Sequence, residues 1–162
     1  TTEGLQHNHG LNPQEAERLA QLAGGRPGAA IRLMQDETLQ AERKEQLDEL
    51  VSLLNAPIRE RFNYAEALSR NRKGLSRAEQ LTRLHTLLQG WESFWRDVLL
   101  IKTNGANGSL NNPDYAEHIN AKASMLSLPA LETRLKALER TSTYLDANAN
   151  IRLTLESLLL DL

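Results

Sequence analysis

SRAEQLTRLHTLLQGWESFWRDVLLIK, residues 76–102, decides the fold class. Its apolar positions, Leu81, Leu84, Leu87, Leu88, Trp91, Phe94, Trp95, Val98 and Leu99, recur in steps of three and four. Such steps place side chains on one face of an α-helix, and here they persist for roughly twenty residues or more. Ser76 followed by Glu79 has the form of a capping box, in which each side chain satisfies the other's backbone N–H at the helix start. Gly90 lies mid-way, where the missing Cβ permits a bend or a close helix approach.

The same period extends in both directions. Upstream, Leu39, Leu47, Leu50, Val51 and Leu54 share a face until Pro57, after which a shorter helix carries Ile58, Phe62, Ala65 and Leu68. Downstream, TNGANGSLNNP (103–113) is dense in turn formers and reads as a surface loop. Asn112-Pro113 then predicts a helix start with Tyr115, Ile119, Ala123 and Leu126 inward, and Leu128-Pro129 opens another with Leu131, Leu135, Leu138 and Leu145. A final helix is expected from Ile151 to about Leu160, capped by Asn150. Nearer the N-terminus, Asn12-Pro13-Gln14-Glu15 starts a helix with Ala16, Leu19, Ala20 and Ala23 on its apolar side, stopped by Gly24. A second helix is expected after Pro27, through Ala30, Ile31 and Met34. Strand-like alternation is absent beyond a few residues. The expectation is an all-α protein: a short helix pair in 1–36, then a bundle of five or six helices in 37–162.

Composition narrows the function classes. With 40% hydrophobic and 25% charged residues the chain can build a core. Its net charge of -2, from 19 basic and 21 acidic residues, disfavours binding nucleic acid through phosphate contacts. Having no cysteine, it has no disulfide and no thiolate for zinc or nucleophilic attack. No apolar run approaches the length of a membrane span and no signal peptide opens the chain, so a cytoplasmic protein without membrane contact is expected. Because the sequence begins at Thr1 rather than methionine, it is expected to be part of something longer.

Candidate chemistry is sparse. GGRPGAAIRL, residues 24–33, puts glycines at a helix mouth, a place that often cradles phosphate. A P-loop would require a preceding strand and Gly-Lys-Ser/Thr, and a dinucleotide loop G-x-G-x-x-G after a strand; neither pattern is here. His7 and His9 stand near the terminus without a ligand cluster, His85 and His118 are isolated on helices, and the serines lack a glycine elbow. No catalytic residue, metal site or cofactor is expected. Two stretches exceed the needs of ordinary packing. One is WESFWRDVLLIK (91–102), which carries a tryptophan stripe beside Arg96 and Asp97. The other is NANIRLTLESLLLDL (148–162), a helix apolar on more than one side, which implies more than one neighbour.

LAQLAGGRPGAAIRLM, WRDVLLIKTN and NANIRLTLESLLLDL, in this order and at this spacing, resemble the C-terminal part of the clamp-loader subunits of bacterial DNA polymerase III, and among them the delta-prime type. The resemblance covers nearly the whole chain. It implies that residues 1–36 are the end of an AAA-type lid bearing the sensor 2 region, and that 37–162 form the helical collar through which subunits assemble. In the motor subunits of such loaders an arginine of this lid senses the nucleotide. Here Gly28 stands in that place, with Arg26 two residues earlier, which implies a degenerate sensor and a structural loop. The resemblance makes Trp91, Trp95, Arg96, Asp97, Lys102, Asn148, Asn150, Arg152, Glu156 and Leu159 candidates for a subunit interface or a polar network of the collar, and Asp97 is expected to pair with Arg152. Its implied partners are the other loader subunits, with the sliding clamp and primer-template DNA reached only through the complete assembly. Two alternatives stand beside it: the C-terminal region of an ATP-binding motor subunit, and a helical adaptor unrelated to replication.

Overall fold

A computed structural model describes residues 13–24, 29, 37–104 and 109–162. Among them there is no strand; the elements are α1 (Pro13–Leu22), α2 (Glu37–Leu54), α3 (Ile58–Ser69), α4 (Arg77–Asn104), a 3₁₀ turn at Pro113–Tyr115, α5 (Ala116–Met125), α6 (Leu128–Asp146) and α7 (Ile151–Asp161). The all-α class is as expected, and residues 37–162 hold six α-helices. Arg26, Gly28 and the helix expected after Pro27 lie outside the described residues.

Local signals set most boundaries. The Ser76 backbone N–H donates to Glu79 Oε2 at 2.8 Å and the Glu79 N–H to Ser76 Oγ at 3.2 Å, closing the capping box that starts α4. Asn150 Oδ1 accepts from the Leu153 N–H at 3.0 Å and caps α7. Pro57 separates α2 from α3 in an extended conformation. Ser127, one residue ahead of the expected Leu128-Pro129 opening, caps α6 by accepting from the Ala130 N–H at 3.3 Å. Asn112 does not cap: a 3₁₀ turn intervenes before α5, and the Asn112 side chain is used elsewhere.

At 28 residues α4 is the axis of the bundle, about 42 Å long at 1.5 Å per residue. It packs against α2, α5 and α6, while α7 packs against α3 and α6. Gly90 faces α2: a Cβ there would stand 3.2 Å from Gln46 Oε1, so glycine permits the close approach. One residue on, the Trp91 indole N–H donates to the Gln46 carbonyl at 3.1 Å and locks the contact. Among the described residues a core runs from Leu47 and Leu50 of α2 through Trp91, Phe94 and Trp95 of α4 to Leu131 and Leu138 of α6 and Leu155, Leu158 and Leu159 of α7. Burying each Leu-sized side chain contributes about 1.5–3 kcal/mol, so this apolar seam is the main source of stability.

Candidate functional site

Asp97 is the most deeply buried charged side chain described, 1% exposed in the wall of α4. Its Oδ1 accepts the Asn111 N–H at 2.9 Å; its Oδ2 accepts the Asn112 N–H at 2.7 Å and the Asn112 side-chain amide at 3.0 Å. The same amide donates to Ser93 Oγ at 3.0 Å, one turn back along α4. Asn112 Oδ1 in turn accepts from Arg43 of α2 at 2.9 Å, and Arg43 pairs with Asp114 at 3.0 Å. Tyr115 extends the network, donating to Asp48 Oδ1 at 2.6 Å while the Arg43 guanidinium sits 6.0 Å from its ring centre. A carboxylate can accept several N–H donors and give none, which suits it to anchor a loop whose backbone amides have no other partner. Burial pushes the Asp97 carboxyl above the usual aspartate range, opposed by the N–H donors of Asn111 and Asn112 and by the charge of Arg43. The result is a clasp tying the segment 109–115 to α2 and α4.

The expected pairing of Asp97 with Arg152 does not occur. Arg152 projects from the outer side of α7, where its Nε donates to Glu156 at 2.9 Å and its Nη2 lies 3.9 Å from Glu66 of α3. The two residues sit in different layers: α7 packs on α3 and α6, and Asp97 faces the loop that follows its own helix. Arg96 points outward and pairs with Glu92 at 2.7 Å, so the adjacent Arg and Asp of the WRD stretch serve opposite environments. Trp91 and Trp95 are fully buried in the chain's own core, as is Leu159. Trp91 stacks on Tyr64 at 6.1 Å between ring centres, whereas Trp95 meets Phe94 edge-on at 5.4 Å. Lys102 is exposed near the C-terminal end of α4, Asn148 adopts a left-handed backbone (φ 61°) in the turn before α7, and Asn150 is the α7 cap. The candidates therefore scatter: Asp97 in the clasp, Trp91, Trp95 and Leu159 in the core, Arg152 and Glu156 paired along α7, Asn148 and Asn150 in its leading turn and cap, and Arg96 and Lys102 on the surface of α4.

Sequence reading missed Arg43, Asn112, Asp114 and Tyr115 as members of the clasp. Their one advance signal was Asn112-Pro113, and its Asn binds a residue fifteen positions away rather than its own helix.

A second cluster has the outline of a nucleophile relay. His85 of α4 accepts or donates at Asp146 (2.8 Å from Nε2) and at Ser142 (3.0 Å from Nδ1), beside a cleft of about 360 Å³ between α4 and α6. Its walls are helical, so their backbone N–H groups are engaged in the helices and no pair of free amides faces Ser142 to stabilise an oxyanion. The Asp146 side chain is 70% exposed, which leaves the relay solvated. The cluster is a polar bridge between two helices. No group of three or more His, Cys, Asp or Glu residues that could hold a metal occurs among the described residues, and none of their helices is long and apolar enough to cross a membrane.

A family model described as DNA polymerase III, delta subunit, C terminal, matches residues 37–162. The chain belongs to that family. No curated protein and no solved structure matches. Membership in this clamp-loader family removes the reading as an adaptor unrelated to replication and places the six-helix unit in DNA polymerase III clamp loading. The C-terminal domain of the delta family is a non-catalytic part of the loader, and within this one the Asp97 clasp orders a loop.

Proposed function

We propose that this chain is the C-terminal region of a delta-prime-type subunit, with residues 1–36 the end of the AAA-type lid and 37–162 the collar that holds the subunit in the loader ring. The family match over 37–162 supports a clamp-loader subunit; the delta-prime type, the lid and the collar assignments rest on the resemblance of the three sequence stretches. In it the region is scaffolding, without turnover or nucleotide binding of its own. Its partners are the other loader subunits, and the sliding clamp and primer-template DNA are met only through the whole cytoplasmic assembly. Gly28, where a motor subunit has its sensing arginine, supports a subunit that does not read ATP.

A delta-type identity is the second reading, favoured by the description of the matching family model itself. Reconstitution separates the two. The full-length subunit is mixed with the remaining loader subunits, once without delta-prime and once without delta, and complex formation is followed by size-exclusion chromatography. Completion of the loader only in the first mixture is the expected outcome. Completion only in the second would reassign the chain to delta, and co-elution in neither would refute the scaffold reading.

A further inference from the structure

A groove of about 540 Å³ opens between α2, α3 and the first turns of α4. Glu42, Glu45 and Glu49 line its α2 side, spaced three and four residues apart and so on one face of that helix. Arg72 and Lys73, from the turn after α3, and Arg83 of α4 line the other side. That turn is fixed: Gly74 takes a left-handed backbone (φ 63°), and the Leu75 N–H donates to Asn71 Oδ1 at 2.8 Å. Leu68, Leu75, Leu84 and Leu87, buried or half-buried, give the groove an apolar floor.

The two sides do not neutralise each other. Among the described residues the side chains of Glu42, Glu45, Arg72, Lys73 and Arg83 form no ion pair and no hydrogen bond. Glu49 accepts the Tyr64 hydroxyl at 2.6 Å, and Arg70, also in the lining, turns to Glu66 of α3. Opposite charges held apart over an apolar floor set up a field from one wall to the other. A nucleic-acid strand would be drawn to Arg72 and Lys73 but repelled by the facing glutamates. A purely acidic or purely basic peptide meets the same conflict. What matches both walls is a segment with a Lys or Arg on one side, an Asp or Glu on the other and an apolar residue between them. Sites of roughly 300–1,000 Å³ hold drug-sized ligands, so this one admits a few such side chains. Seated the other way round, the segment would set like charges together, which fixes its direction.

We propose that this groove docks such a two-signed segment of a sister subunit, its cation against Glu42 and Glu45 and its carboxylate against Arg72 and Lys73. The identity of the partner as a sister subunit rests on the scaffold reading above. The demand for both signs does not: it comes from the walls themselves.

Four single substitutions in the full-length subunit, each changing the charge by the same amount, test this. Glu45→Lys and Lys73→Glu lie in the groove; Glu132→Lys and Lys136→Glu, on α6, are controls. All four side chains are exposed, so the isolated variants are expected to melt with the wild type. Binding to the reconstituted remainder of the loader is then measured at low and high salt. Glu45→Lys and Lys73→Glu are each expected to weaken association about tenfold or more, the scale of one interfacial charge pair, with the loss shrinking as salt is raised. The two α6 variants are expected to bind as the wild type does. Undiminished binding by either groove variant would overturn the docking site and leave the scaffold reading standing. Tighter binding by Glu45→Lys beside weaker binding by Lys73→Glu would also overturn it, since the occupant would then be acidic or phosphate-bearing. Equal losses in the α6 variants would reduce the effect to net charge, and a lowered melting temperature in a groove variant would mean that its charge serves the fold; each overturns the proposal. Self-association of the isolated wild type that Glu45→Lys abolishes would make the occupant a second copy and overturn the sister-subunit assignment. Failure of the wild type to bind any loader subunit would overturn both the docking site and the scaffold reading.

Discussion

The Asp97 clasp and the α7 ladder of Arg152, Glu156 and Glu66 are made of the same materials, carboxylates meeting N–H donors, yet they do different things. At Asp97 the carboxylate is 1% exposed and takes three N–H donors from Asn111 and Asn112 at 2.7–3.0 Å. On α7 the Arg152 side chain is 52% exposed and reaches Glu156 four residues along the same helix. Water reaches the Arg152 guanidinium and part of each glutamate in the second case and almost nothing in the first. A buried polar group left without its partner loses the full desolvation penalty, whereas an exposed ion pair is worth about 0–1 kcal/mol. Burial, and not the kind of residue, decides which network holds the fold.

The strongest way to break that contrast is to remove the buried acceptor. Asp97→Ala orphans two backbone N–H groups and leaves the Asn112 amide only its bond to Ser93, and is expected to cost about 3–5 kcal/mol in urea unfolding. An unchanged midpoint would mean that water already serves those donors. The pH dependence sharpens the point. Burial raises the Asp97 pKa in the fold, so its contribution is fully present below the ordinary aspartate value of about 4 and is lost as pH rises through the raised value. The gap between wild type and Asp97→Ala is therefore expected to be widest in acid and to narrow on going up in pH. Asp48 runs the other way: hydrogen bonds from Lys44 and Tyr115 lower its pKa, so its contribution fades as pH falls.

Asn112→Ala should come next, at about 1–3 kcal/mol. It removes one donor to Asp97, the contact to Ser93 and the acceptor for Arg43, but keeps both backbone N–H bonds to the carboxylate. A loss as large as that of Asp97→Ala would show that the side chain of Asn112, and not the backbone of the loop, carries the clasp. Asn150→Ala tests a purely local contact: it deletes the α7 cap, whose loss is expected to cost about 1 kcal/mol.

These effects also explain what could be read from the sequence. The Ser76–Glu79 box, the Asn150 cap and the break at Pro57 involve partners within four residues, so local chemistry determines them and they are visible in the sequence. The helical period places Trp91, Phe94 and Trp95 on one stripe, and all three are core. Asp97 is different. Its partners lie fourteen and fifteen residues on, across a loop whose path depends on how α2 and α4 pack, and no periodicity encodes that. Pairing it with Arg152 matches opposite charges but ignores the layers: a charge-complementary residue is a partner only if the helix packing brings it within reach. Trp95 and Arg134 illustrate the same limit, since a ring and a guanidinium 39 residues apart meet only because α6 lies along α4.

The smallest expected effect is the most diagnostic for the comparison. Arg152 stands out in the sequence beside Asp97, and a purely chemical view of the two would give them similar weight. Arg152→Ala removes the 2.9 Å contact to Glu156 and the longer one to Glu66, yet Glu66 keeps its pairing with Arg70 and both carboxylates retain partial access to water. Stability of the isolated chain should shift by no more than about 0.5 kcal/mol, and any shift should vanish in high salt, because exposed pairs are screened. A loss of several kcal/mol would show that the α3–α7 seam depends on this ladder rather than on Leu155, Leu158 and Leu159 beneath it. A near-silent Arg152→Ala beside a crippling Asp97→Ala would separate a fully buried carboxylate holding three N–H donors from a partly exposed ion pair.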